Sequence, residues 1–214
     1  MQINCENVID LNHINIEELN ERKLAFYLDT NIWYWLTYPD SNTERLSDDY
    51  AHFVNEIHLA KDTKILYSHL TFAELTNIIE RDKLNSYKRD SGNQHISKKQ
   101  YRQLIDERNN VMEDIEISLN QITRIGESDE AFVEVLNYIK KDDFIKTLQE
   151  TTLDGTDILM ANFIKQNGVQ NIITNDRDYL TIRGVNIFTF DLRVINTAQC
   201  QGYNTDFRSC FESR

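Results

Sequence analysis

Proline is nearly missing from this chain. Pro39 is the single one, and six glycines are spread over 214 residues. A turn-rich β fold needs more of both, so the chain is built from long regular elements. Cysteine is also scarce: Cys5, Cys200 and Cys210 make an odd set with no paired metal-ligand spacing. With no signal peptide in view, three such cysteines are expected in a reducing cytoplasm. No apolar run approaches the roughly 20 residues that a membrane span requires. Positive charge is the remaining deficit, with 23 basic residues against 35 acidic ones and a net charge of −12. Non-specific nucleic-acid binding is the work of basic domains, and this balance does not suggest it. It suits a well-solvated surface, or carboxylates gathered around cations.

What is present is a hydrophobic fraction of 40%, enough to bury a core in one domain with a sizeable insertion. Short buried strands are predicted at Leu24–Leu28, Lys64–Tyr67, Asn171–Thr174 and Val185–Phe190. Helical spacing marks Ile16–Arg22, Tyr50–His58, Leu70–Glu80, Ser97–Ile122, Glu130–Ile139, Phe144–Leu148 and Thr156–Ile164. The alternation of strands with helices implies a mostly parallel sheet of about four to five strands, flanked by helices in three layers. Residues 1–22 read as an arm, and 191–214 as a tail without assigned structure. The stripe of Tyr101, Leu104, Ile105, Val111, Met112, Ile115, Leu119 and Ile122 suits a core face or a dimer face.

Acids recur where these strands end. Asp29 follows the first strand, Glu74 lies in the helix after the second, and Asp176 follows the third. Asp157 stands in the first turn of the helix leading into that third strand. In an open parallel sheet all such ends share one edge, so four acids distant in sequence can meet there. Each also has a bland role available, Asp29 as a helix cap and Glu74 as a favourable charge near a helix start. Carboxylates brought together repel one another unless a cation neutralises them, and hard divalent ions prefer oxygen ligands. Such a site can activate water and offset the charge of a phosphodiester. One locally basic segment, with Lys83, Lys88, Arg89, Lys98, Lys99 and Arg102, is the candidate for phosphate contact, against a merely solvated surface. Trp33 and Tyr34 are candidates for base stacking, or for the core.

The blocks Leu28-Asp29-Thr30-Asn31, Thr71-Phe72-Ala73-Glu74-Leu75, Thr156-Asp157-Ile158-Leu159-Met160-Ala161 and Thr174-Asn175-Asp176-Arg177-Asp178-Tyr179 resemble, in order, the signature of PIN-domain nucleases. The likeness is to the VapC type of ribonuclease and spans residues 24–190, with the middle outside it. It implies a PIN-like fold over 23–190 with an enlarged helical insertion at about 85–150. It also implies a metal-dependent endoribonuclease acting on single-stranded RNA, as a toxin or a defence effector. Carried over by position, Asp29, Glu74, Asp157 and Asp176 are the metal-holding and catalytic acids, with Mg²⁺ or Mn²⁺ as cofactor. Thr30, Asn31 and Thr174 are supporting groups, and Asp178 competes with Asp176 as the late acid. The implied partners are the RNA, an antitoxin or regulatory protein, and a second copy of the chain, with no membrane.

Other readings compete with this one. A catalytically silent scaffold of the same fold, binding RNA or a protein partner, is disfavoured by the presence of all four acids, although acids alone do not prove turnover. A metal-dependent deoxyribonuclease would use the same chemistry. A haloacid-dehalogenase type of phosphatase also begins with a strand and an Asp, but it needs a second Asp where this chain has Asn31.

Overall fold

Four-residue stretches such as Ala25–Leu28 and Asn186–Thr189 are buried on both faces, as strands covered on two sides must be. In the computed structural model they lie within a six-stranded, wholly parallel sheet. The structure describes all residues except 1, 15, 21, 42–44, 61, 129–139, 167, 204 and 209–214. In chain order the strands are β1 (Asn7–Asp10), β2 (Ala25–Leu28), β3 (Lys64–Tyr67), β4 (Glu127–Ser128), β5 (Asn171–Ile173) and β6 (Asn186–Thr189). Their spatial order is β1-β6-β5-β2-β3-β4. Among the described residues nine α-helices flank this sheet. They are α1 (Ile16–Asn20), α2 (Thr30–Thr37), α3 (Arg45–Leu59), α4 (His69–Ser91), α5 (Lys98–Tyr101), α6 (Ile105–Ile125), α7 (Lys141–Glu150), α8 (Gly155–Gln166) and α9 (Leu192–Cys200).

The period-two alternation of strand side chains divides the core into two layers. Phe26, Leu28, Ile173 and Phe188 face α2, α3, α4 and α6, while Tyr27, Ile172 and Ile187 face α8 and α9. The sheet has two strands more than those read from apolar runs. Both additions escape such a reading for a physical reason. β4 is two exposed residues long, and β1 (Asn-Val-Ile-Asp) is framed by polar residues. Residues 7–10, expected within an arm, pair along their length with β6. In the expected tail α9 forms, its start capped by Asp191, which accepts from the Arg193 N–H at 2.9 Å. The helix expected at Glu130–Ile139 lies outside the described residues, as do Asn42, Thr43 and Cys210.

Side-chain amides tie four adjacent strands in register. Asn7 Nδ2 donates to Asn186 Oδ1 (2.8 Å), Asn186 Nδ2 to Asn171 Oδ1 (2.9 Å), and Asn171 Nδ2 to the Ala25 carbonyl (3.2 Å). A one-residue slip of any strand would leave a buried amide unpaired, a cost of roughly 1–3 kcal/mol.

The expected long helix from Ser97 is broken into α5 and α6. Ser97 and Gln100 form a capping box at the first, and the backbone leaves helical geometry at Leu104. The predicted stripe is core in part: Val111, Ile115 and Ile122 of α6 join the same apolar cluster as Phe26 and Trp33, whereas Ile105 and Met112 are exposed. α6 ends at Gly126, where a Cβ would stand 2.9 Å from Tyr67 Cδ1 and 3.3 Å from the Ile65 carbonyl oxygen. Glycine there lets β4 reach the sheet edge.

A buried carboxylate holds this helical region together. Glu80 of α4 is 2% exposed and pairs with Lys98 (2.8 Å), Arg102 (Nη2, 2.6 Å) and Arg108 (3.2 Å). Arg102's hydrogen bonds, opposed by burial, hold its carboxyl down at about 2. A depressed carboxyl pKa stabilises the fold above the unfolded value near 4.5, and that contribution fades as pH falls toward 2. Glu80→Gln should therefore cost about 3 kcal/mol at pH 7, the low end for a broken buried pair because the cations are half exposed. By denaturant titration, the deficit against wild type should shrink between pH 4.5 and 2.

Candidate active site

The carboxyl ends of β2 and β5 form the place where the chain order reverses. From β2 the chain proceeds to β3 and β4 on one side, and β5 lies on the other. Strand ends diverge there and leave a crevice. Asp29 is the first residue beyond β2, its N–H still bonded to the Ile173 carbonyl (3.1 Å). It occupies the cap position of α2 but makes no capping hydrogen bond with its side chain. The carboxylate, 4% exposed, instead accepts from Thr174 Oγ1 at 2.7 Å, which excludes the bland role of helix cap.

Each of the other three acids is placed by its own local device. Ser68 caps α4 in a box with Thr71, so Glu74 is free of any capping duty one turn further on. It accepts from Thr30 Oγ1 at 2.7 Å. At α8 the cap is Asp154, whose Oδ1 accepts the N–H groups of Thr156 (2.9 Å) and Asp157 (3.1 Å). That leaves the Asp157 carboxylate to accept from the buried Tyr179 hydroxyl at 3.1 Å. Asp176 caps a 3₁₀ turn at Arg177–Thr181, taking the Asp178 N–H on Oδ1 at 2.9 Å, while its own N–H goes to Thr174 Oγ1 at 2.8 Å. Thr174 is thus shared by two of the acids. Tyr50 of α3 holds the strand end beneath it, donating to the Thr174 carbonyl (3.1 Å) and accepting from the Phe190 N–H (3.2 Å).

The four carboxylates perturb one another. Burial, opposed by the Thr174 hydrogen bond and reinforced by Asp157, Asp176 and Glu74, pushes Asp29 up to about 7. Burial, with repulsion from Asp154 and Glu74, likewise raises Asp157 to about 7. Glu74 and Asp176 are raised too, first by burial and then by neighbouring acids. Among the described residues no lysine or arginine pairs with any of the four. Asp154 is a fifth contributor that the sequence presents only as a loop residue. Its one signal there is its position three residues before Asp157. Asp178 accepts instead from Thr152 Oγ1 (2.7 Å). Asp29, Glu74 and Asp157 all feel Asp176 or Asp154, whereas the charge of Asp178 is felt by Asp176.

An all-oxygen donor set with unrelieved anionic charge has the chemistry that suits Mg²⁺ or Mn²⁺. Among the described residues no three acidic, histidine or cysteine side chains are gathered at ligand spacing. An ion there would be held by one or two carboxylates with waters completing its shell, which is the usual habit of Mg²⁺.

The basic segment is spent largely inside the molecule. Lys98 and Arg102 pair with Glu80, and Lys83 with Asp40 and Asp114, both at 2.6 Å. Arg89 donates to Ser86 (3.0 Å), and Lys88 and Lys99 carry no ion pair among the described residues. Trp33 is wholly buried and belongs to the core, and Tyr34 packs against Tyr38 with ring centres 5.2 Å apart.

Raised carboxyl values carry a sign for stability. The folded chain holds protons that the unfolded chain has released, so stability contributed by the cluster falls as pH rises from about 4 to about 7. In EDTA, Asp29→Asn should melt higher than wild type at pH 8, by about 2–4 °C for each kcal/mol of repulsion relieved. At pH 4 the two melting temperatures should converge. Scanning calorimetry at both pH values tests this, and parallel profiles would refute it.

Among known proteins, a family model described as the PIN domain matches residues 26–185. One similar solved structure is VapBC2 from Rickettsia felis bound to a DNA fragment from their promoter. It is 14% identical, covers 77% of this chain and 97% of its own, and superposes with a TM-score of 0.47. No curated protein matches the sequence. A match over residues 26–185 takes in β2 to β5 and all four acids, and on that ground the chain belongs to the PIN domain family, a family of nucleases.

Proposed function

We propose that the protein is a metal-dependent endoribonuclease that hydrolyses phosphodiester bonds of single-stranded RNA. One observation carries the reading. Four acids from four separate segments converge at the switch point of the sheet, held by hydroxyl and backbone donors and by no described cationic side chain. A fold stabilised only for itself would pair or remove such charges.

In this reading Asp29 and Asp157 would ligate Mg²⁺ or Mn²⁺ directly, and Glu74 and Asp176 would reach it through its waters. The ion supplies the local positive charge that the phosphate requires and activates water for in-line attack. The protein supplies placement. Thr174 and Thr30 keep Asp29 and Glu74 oriented, and the Tyr179 hydroxyl holds Asp157. Glu74 and Asp176, more open than Asp29, orient the incoming water and receive its proton as one P–O bond forms and another breaks. Asn31, exposed beside them, faces the substrate. The −12 charge favours a partner protein, of antitoxin or regulatory kind, that adds basic surface to the complex. A toxin or defence role in the cytoplasm fits the same picture. Among the described residues no helix is long and apolar enough to cross a membrane.

The wide spacing of the acids favours a second reading, a silent scaffold that binds RNA or a protein without cutting. Both readings are separated by one assay. Labelled single-stranded RNA with Mg²⁺ or Mn²⁺ should be cut by wild type and spared in EDTA. Asp29→Asn and Asp157→Asn should each lose more than the ~10–100-fold expected when only a supporting partner of a metal ligand is removed. Single-stranded DNA in parallel distinguishes a ribonuclease from a deoxyribonuclease. Cutting that survives both substitutions would refute the site, and absence of any cutting would favour the scaffold.

A further inference from the structure

Two open clefts meet at Asn31. One, of about 370 Å³, is lined by Asn31, Asn175, Asp176, Arg177, Asp191 and Arg193. The other, of about 440 Å³, runs from Asn31 past Glu74 and Asn77 to Arg81. Asp176 and Glu74 therefore line a trough, one on each side of Asn31, whose two ends carry arginine. Neither Arg177 nor Arg193 belongs to the basic segment singled out from the sequence.

Arg177 and Arg193 are built into their end. Both are hydrogen-bonded to Asp191, which is 5% exposed and fixed as the cap of α9. Arg177 donates Nε (3.2 Å) and Nη2 (2.8 Å) to Asp191 Oδ2, and Arg193 donates Nε (3.3 Å) to Oδ1. A guanidinium has five N–H donors, so three remain on Arg177 and four on Arg193. The Arg193 side chain is 79% exposed and that of Arg177 41%. One buried carboxylate thus orients two cations with most of their donors turned outward. Asp191 is held below its ordinary value, with the Arg177 hydrogen bond and the Arg193 backbone N–H outweighing its burial. Beside them Asn175 Oδ1 is buried without a hydrogen-bond partner, an acceptor left for a ligand group that donates.

We propose that Arg177 and Arg193, oriented by Asp191, clasp a backbone phosphate of a single-stranded nucleic acid lying across the acids toward Arg81. The proposal rests on the nuclease reading for its orientation, but not for its binding. Guanidinium forks match phosphate oxygens geometrically, and pre-orientation lowers the entropy cost of binding. An acidic chain can then seat a polyanion locally, because two positive charges stand together at one end of the trough. Asp191 is a positioning residue. The Lys88 and Lys99 side chains, away from the trough, have no part in it.

The test is binding of a fluorescein-labelled 12-nucleotide single-stranded RNA to the full chain in EDTA, by anisotropy over a range of KCl concentrations. Removing one cation that neutralises a phosphate should reduce the slope of log K against log salt by about 0.7. Arg193→Ala and Arg177→Ala should each show that reduction and the double variant about twice it, while Lys88→Ala/Lys99→Ala keeps the wild-type slope. Arg193→Ala, which removes an exposed side chain, should keep its melting temperature, so its slope cannot be ascribed to unfolding. Wild-type slopes in both arginine variants would overturn the clasp, and so would an equal reduction in the lysine variant. Cleavage with Mn²⁺ is read separately. Arginine-dependent binding without cleavage would overturn the nuclease and leave the clasp, whereas cleavage with arginine-independent binding and KM would do the reverse.

Discussion

Desolvation of acids at one sheet edge, reinforced by their repulsion of one another, is the constraint on which this site depends. Four acids share one sheet edge, with burial and like charge raising each of them. No described cationic side chain neutralises that charge, so its cost must be met by the rest of the fold. Two apolar layers on either side of the sheet meet it. The hydroxyls of Thr174, Thr30 and Tyr179 add direction by limiting where each carboxylate can turn. Such a cluster is a reservoir of electrostatic strain.

Charge is handled differently elsewhere. Glu80 and Asp191 are as buried as Asp29, yet each is surrounded by cations and held below its ordinary value. One joins α4, α5 and α6, and the other pairs with Arg177 and Arg193 at the start of α9. The contrast separates acids with cationic partners from acids without them, and it rests on the partner rather than on burial. A carboxylate with two or three guanidinium or ammonium partners has no capacity left for a metal. One with a single hydroxyl partner retains lone pairs.

Where the sequence misleads, the reason is local. The basic segment at 83–102 looks free because sequence distance hides its partners: Glu80, Asp40 and Asp114 come from different turns and helices. Arg177 and Arg193 look unremarkable because each stands singly, away from other basic residues that would mark a patch. β1 is hard to see since four residues with polar ends carry little periodicity, and its pairing with β6 joins residues 179 apart. The break after α5 lies at Leu104, where the backbone becomes extended, and an unbroken apolar stripe conceals it.

By itself the sequence determined the alternation of strands and helices, and the parallel sheet that follows from it. It also placed four acids at the ends or first turns of those elements. Those follow from short-range rules: apolar runs of four or five residues must be covered on both faces, and helical spacing marks what covers them. Only the tertiary structure decided which charges meet. It set Asp176 within electrostatic reach of Asp29, Glu74 and Asp157, bonded Asp178 to Thr152, brought in Asp154, and paired Lys83, Lys98 and Arg102 of the basic segment with carboxylates. Electrostatic partnership depends on distance through space, and strands ordered β1-β6-β5-β2-β3-β4 bring together residues far apart along the chain.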